Sequence, residues 1–170
     1  MVAEKTLLFN ELAGLLEQEN DIHQNLINAA QEINNCAKGK DIEGLQKRSA
    51  IFDEHICGLE KAEERRHDIC ERLKDMLGNI VPSGRMITLI EQSEPDVRSR
   101  LRELRKSLME RVAQLKALNT SNIVLFREAL GGITASIDII KTSATPKTNY
   151  RHRGDFKPHN CNLSLFNQVV

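Results

Sequence analysis

Apolar residues in this chain recur at alternating intervals of four and three. Leu8, Leu12, Leu15, Ile22, Leu26, Ala29, Ile33 and Cys36 keep that alternation, with Glu19 as its only charged member and Leu16 beside it. A helix turns once every ~3.6 residues, so such a series forms one stripe along a helix. A strand would alternate by two. The first helix is therefore expected from Glu4 to Ala37. Gly39 should end it in the left-handed conformation of a C-terminal cap. Asp41 should cap the next helix by accepting from its free backbone N–H groups.

A second stripe runs from Ile42 through Leu45, Phe52, Ile56, Leu59, Cys70 and Leu73 to Leu77, with Ser49, Glu63 and Arg66 as polar interruptions. Two stripes joined by so short a link predict an antiparallel hairpin about 50 Å long. Gly78, Pro82 and Gly84 mark a break, and Met86, Ile87, Leu89 and Ile90 make a short apolar element. Ser93 is placed to cap a further helix, with Pro95 and Asp96 in its first turn.

The third long helix is expected from Pro95 to Lys141. Its first part carries one main stripe, Val97, Leu101, Leu104, Leu108, Val112, Leu115 and Leu118. Its last part carries an unbroken row, Ile123, Phe126, Leu130, Ile133, Ile137 and Ile140, beside a continuation of the older stripe through Leu125, Ala129 and Ile139. Two adjacent rows exceed what one partner helix covers. The end of this helix must meet another element or offer a docking surface. Gly131 and Gly132 weaken the helix there, which suits a kink or a closely approaching backbone.

Composition agrees with an all-α fold. Among 170 residues, 40% are apolar, 28% charged and only 4% aromatic, with no Trp and one Tyr, which argues against a β-sandwich. The expected architecture is a long antiparallel hairpin plus a third long helix, an elongated three-helix bundle or coiled coil. The bundle should occupy residues 1–141, and residues 142–170 should form a flexible basic tail. Net charge is zero overall. It hides a front of net −6 over residues 1–80 and a tail of net +4 over residues 141–170. A neutral total argues against a chain held on nucleic acid by bulk charge. No run approaches the ~20 apolar residues a membrane span needs. A cleaved leader would begin with a basic segment before an apolar core, and none is expected here. The four cysteines lack CxxC spacing and suit cytosolic free thiols.

Catalytic and metal motifs are not evident. His67 and Cys70 share a helical face, but the paired ligand spacing of a metal site is missing. Glu60, Glu63 and Glu64 beside Arg65 and Arg66 suit a solvated face with local ion pairs. Arg98, Arg102 and Arg105 share a face that could meet phosphates, yet interleaved aromatics are lacking. Neither a cofactor nor a metal is expected. In the tail, Tyr150 beside Arg151, His152 and Arg153 suits either an anchor in protein recognition or an incidental tyrosine in a disordered tail.

Taken in order, these features resemble the FlgN family of flagellar type III export chaperones. The resemblance rests on the opening Leu7-Leu8, Leu12, Leu15-Leu16 and Glu19. It continues with the break at Lys38-Gly39-Lys40-Asp41, where Lys40 is an insertion, and with Leu59-Glu60, Arg65-Arg66, Leu73 and Leu77-Gly78. Leu101, Leu104-Arg105, Leu115, Leu118-Asn119, Asn122 and Leu125 follow, then Tyr150 and Gly154. The resemblance implies a cytoplasmic bacterial protein without enzymatic activity. Its expected partners are hook-associated proteins of the FlgK/FlgL type, bound by their C-terminal helical segments, and the gate and ATPase components of the export apparatus. Client binding is expected at Ile123, Phe126, Leu130, Ile133, Ile137 and Ile140. Asn119 and Asn122 would supply polar register, either to the client or within the bundle. By resemblance, Tyr150 is the contact for the export gate. The alternative is a structural coiled coil that uses the same rows for self-association.

Overall fold

The computed structural model describes residues 2–78 and 85–144. Tyr150, with the rest of the expected tail from residue 145, lies outside the described residues, as does the break at Pro82 and Gly84. Four helices follow one another: α1 (Val2–Gly39), α2 (Ile42–Leu77), α3 (Met86–Ile90) and α4 (Pro95–Ala144). The described chain is all-α, as the three-four spacing predicts, and α4 continues past Lys141 to Ala144. The chain divides into two units, Met1–Gly132 and Ile133–Val170, with the division inside α4.

In the first unit, α1 and α2 form an antiparallel hairpin. Ion pairs join Glu19 to Arg66 and Glu32 to Arg48, so advancing along one helix retreats along the other. The turn between them is built from backbone bonds. The Asp41 N–H donates to the Cys36 carbonyl at 3.0 Å and the Lys40 N–H to the Ala37 carbonyl at 3.3 Å. This is the Schellman pattern, and its left-handed residue is Lys40, with φ 56°, rather than the expected Gly39. Asp41 caps α2 as its side chain predicts, accepting from the Gly44 N–H at 2.9 Å. Gly44 leaves room for that cap, because a Cβ would lie 2.7 Å from the Asp41 Cγ and 3.0 Å from the Cys36 Sγ.

Within this unit α4 runs alongside α1 in the same direction. Arg100 pairs with Glu17, the Asn20 amide donates to the Leu104 carbonyl, and the Asn122 amide donates to the Ala30 carbonyl. The contact point on α4 thus advances with that on α1. The short α3 is closed by Ser93, whose hydroxyl donates to the Ile90 carbonyl at 2.7 Å. Ser93 does not cap α4 as expected. Glu94 stands directly before Pro95, and its carbonyl receives the first helical bond, from the Arg98 N–H at 2.8 Å.

Two apolar clusters hold this unit together. The larger combines Leu8, Phe9, Leu12 and Leu16 with Ile69, Leu73, Leu89, Ile90 and Leu101. The smaller combines Leu26, Ile27 and Ala30 with Leu115, under half-buried Phe52, Ile56, Leu59 and Leu118. Each fully buried Leu or Phe contributes about 1.5–3 kcal/mol relative to exposure. Between the clusters lies a polar layer. Glu19 is 1% exposed and Arg66 bonds it at 2.7 Å. His23 Nδ1 lies 2.8 Å from the Glu19 carbonyl. Arg111 donates to the Asn20 carbonyl. Arg111 therefore holds the inward position that the expected stripe assigned to Val112, which is 44% exposed.

Burial pushes the Glu19 carboxyl above its ordinary range, against the opposing pull of Arg66. The second unit is described through Ala144. Its described side chains, residues 133–142, are exposed, and Thr142 Oγ1 donates to the Asp138 carbonyl at 2.8 Å.

Candidate binding surface

Helix α4 presents two apolar rows, and they have different fates. The inward row of the first unit passes through Leu101, Leu104, Leu108, Arg111, Leu115, Leu118, Asn122 and Leu125, all buried or half-buried. The next row round the helix faces solvent. Ile123 is 50% exposed and Leu130 63%, with Phe126 half-buried. In the second unit Ile133 is 57% exposed, Ile137 37% and Ile140 66%. A single exposed aliphatic residue is ordinary on any protein. Within each unit by itself, such residues at helical spacing are a pattern an amphipathic partner helix can cover.

The outward row also extends further back than the spacing suggested. Met109 and Val112 are exposed on the same side of α4, Val112 about three turns before Ile123. Val124 and Ile139 are exposed as well. Lys116 and Asn119 interrupt the row, so a search for unbroken apolar spacing passes over its earlier members. A Cβ at Gly131 or Gly132 would find nothing within 4 Å, so neither glycine marks a close approach to other described residues.

Asn119 is half-buried and Asn122 is 6% exposed. The Asn122 side chain is engaged within the bundle. Its amide nitrogen donates to the Ala30 carbonyl at 3.0 Å, and its oxygen accepts from the Asn34 amide at 2.6 Å. Of the two roles open to it, register within the bundle has its partners in place.

The basic run at the start of α4 is largely engaged by the chain's own acceptors. Arg98 donates to the Ser93 carbonyl, Arg100 pairs with Glu17, and Arg102 forms two bonds to Glu91. The Arg102 guanidinium holds the Glu91 carboxyl below the usual carboxylate range. Glu60, Glu63, Glu64 and His67 are exposed along α2. Burial pushes the Cys70 thiol up, away from the reactive thiolate. Among the described residues, no three His, Cys, Asp or Glu side chains are grouped to hold a metal ion. None of the described helices is long and apolar enough to cross a membrane.

Among the described residues, the first unit is a packing of long helices, and α4 carries exposed apolar side chains in each unit. The family model of FlgN, described as FlgN protein, matches residues 1–157. The chain belongs to the FlgN family, whose members are chaperones of flagellar assembly and export. No curated protein and no solved structure gives a significant match.

Proposed function

We propose that this chain is a cytoplasmic export chaperone acting by binding alone. Its clients are the C-terminal helical segments of hook–filament junction proteins of the FlgK/FlgL type. It keeps them unpolymerised and delivers them to the gate and ATPase components of the export apparatus. The observation that carries this reading is the outward row of α4, with Ile123, Ile133, Ile137 and Ile140 exposed. A client segment that is disordered alone can fold as an amphipathic helix against such a row. Burying the apolar faces of both partners drives the association. Phe126 and Leu130 belong to the same proposed contact, and Asn119 lies at its border. The bonds of Asn122 favour a structural role behind the surface. Tyr150 is the proposed contact for the export gate.

Ile133→Asp tests the client site. It should weaken binding of a junction-protein C-terminal peptide at least tenfold, about 1.4 kcal/mol, by calorimetric titration. Helicity should be unchanged, because Ile133 is exposed. Undiminished affinity rejects the row as the client site. Light scattering separates the alternative: a stable dimer that Ile133→Asp dissociates favours self-association through this row.

A further inference from the structure

Three cations on α4 stand apart from the chain's own ion pairs. Arg105, Lys116 and Arg127 follow one another at intervals of eleven residues, all within the first unit. Eleven residues make about three helical turns, so the three lie in one line at a spacing of about 16 Å. Arg105 is half-buried, and Lys116 and Arg127 are exposed. Among the described residues, none of their charged groups meets a carboxylate within ion-pair distance. The basic run before them differs, since Arg100 pairs with Glu17 and Arg102 with Glu91.

Exposed apolar side chains fill the gaps in that line. Met109 and Val112 lie between Arg105 and Lys116, Ile123 lies before Arg127, and Leu130 lies after it. All seven residues fall within about 60° of arc round α4. The acids of this stretch, Glu110 and Glu128, stand about 100° or more away from each of them. Glu110 lies instead beside Lys106, at 4.0 Å. The stripe therefore combines apolar surface with positive charge and carries no carboxylate. A second copy of the same stripe covers it badly. Two copies laid parallel and in register set each cation beside its own counterpart. Two laid antiparallel about Lys116 set Arg105 beside Arg127 and Lys116 beside Lys116. Either way cation meets cation, which selects against self-pairing here.

We propose that residues 105–130 of α4 dock an amphipathic helix whose apolar face is flanked by carboxylates, and so an acidic partner rather than a second copy of this chain. Asp or Glu side chains three turns apart on that partner meet Arg105, Lys116 and Arg127 in turn. Its apolar face covers Met109, Val112, Ile123 and Leu130. Exposed charges of this kind add selectivity and speed of encounter more than raw affinity, so the stripe rejects basic helices that would suit its apolar part equally well. That the partner is an export client rests on the function proposed above. The preference for acidic helices does not, and it can be measured without any client.

Two synthetic helical peptides of about 30 residues serve as probes. They share one apolar stripe and differ only in carrying Glu or Lys at three positions eleven residues apart. Calorimetric titration against the full chain should show the Glu peptide binding at least tenfold tighter. Raising the salt from about 0.05 to 0.5 M should shrink that preference at least threefold. Lys116→Glu combined with Arg127→Glu should reverse it with helicity unchanged, because both side chains are exposed. Equal affinity for the two peptides, binding of neither, or a preference that the charge reversal leaves intact overturns the proposal. So does a single-stranded oligonucleotide that binds tighter than the Glu peptide, or a dimer of the intact chain that the charge reversal dissociates. A junction-protein C-terminal peptide separates this inference from the function it deepens. If the Glu peptide is preferred and that peptide fails to bind, the export reading falls and the acidic site stands. If that peptide binds in a manner sensitive to Ile133→Asp while the Glu and Lys peptides bind alike, the acidic site falls alone.

Discussion

The buried pair of Glu19 and Arg66 shows how two blemishes in separate apolar stripes answer one another. Each interrupts its own helix, and folding brings them to 2.7 Å. The Arg66 side chain is 25% exposed and that of Glu19 only 1%, so the carboxylate bears most of the desolvation. Its folded pKa lies above the ordinary 4.5. This group therefore favours the folded state most below that value, and the advantage is lost as pH rises through the folded pKa. Removing the partner enlarges the effect. Arg66→Ala should destabilise the protein by about 3 kcal/mol at pH 7, because a buried carboxylate is left unpaired. The loss should be less than half as large near pH 4, where Glu19 is protonated in the folded state. Urea midpoints at the two pH values check this. Replacing both residues by Leu should leave stability near that of the parent.

At the level of elements, the turn between α1 and α2 carries the clearest local strain. Lys40 holds a left-handed conformation that suits glycine, at a cost of about 1 kcal/mol. Lys40→Gly should therefore raise the melting temperature by about 2–4 °C, seen by circular dichroism. Sequence reasoning places this turn one residue early, because Gly39 is the residue whose type announces a left-handed cap. The helices themselves are legible, since spacing alone locates a stripe. The second stripe of α1 is not. Phe9, Ala13, Leu16, Asn20, His23, Ile27 and Ala30 form a second row, and all are buried. Asn20 and His23 interrupt that row and Ala13 and Ala30 are small, so its apolar periodicity is weak. Arg111 escapes notice for the same reason: a cation on an inward row reads as a break until its carbonyl partner is seen. The outward row of α4 is readable because nothing polar interrupts it from Ile123 onward.

For the molecule as a whole, the two units differ in what their residues contribute. Every core side chain among the described residues belongs to the first unit, ending with Leu115 and the polar Asn122. Ending the chain at Gly132 should therefore leave a cooperative melt within about 3 °C of the parent. The same truncation should abolish client binding, since it removes Ile133, Ile137 and Ile140 from the proposed contact. Differential scanning calorimetry and a pull-down with a junction-protein peptide read the two outcomes. A collapse of the thermal transition would place structural weight beyond Gly132.

The two apolar clusters are unequal: among the described residues, eleven buried members gather around Leu12 and Leu73, against four around Leu26 and Leu115. The hairpin is therefore clamped hard at its open end and only lightly toward the Lys40 bend. Amide protons near Leu12 and Leu73 should exchange with deuterium slowest, and those approaching the bend progressively faster. Breathing of this kind starts at the bend and travels toward the clamp, so a protease would make its first cut near Lys40 while the far end stays shut.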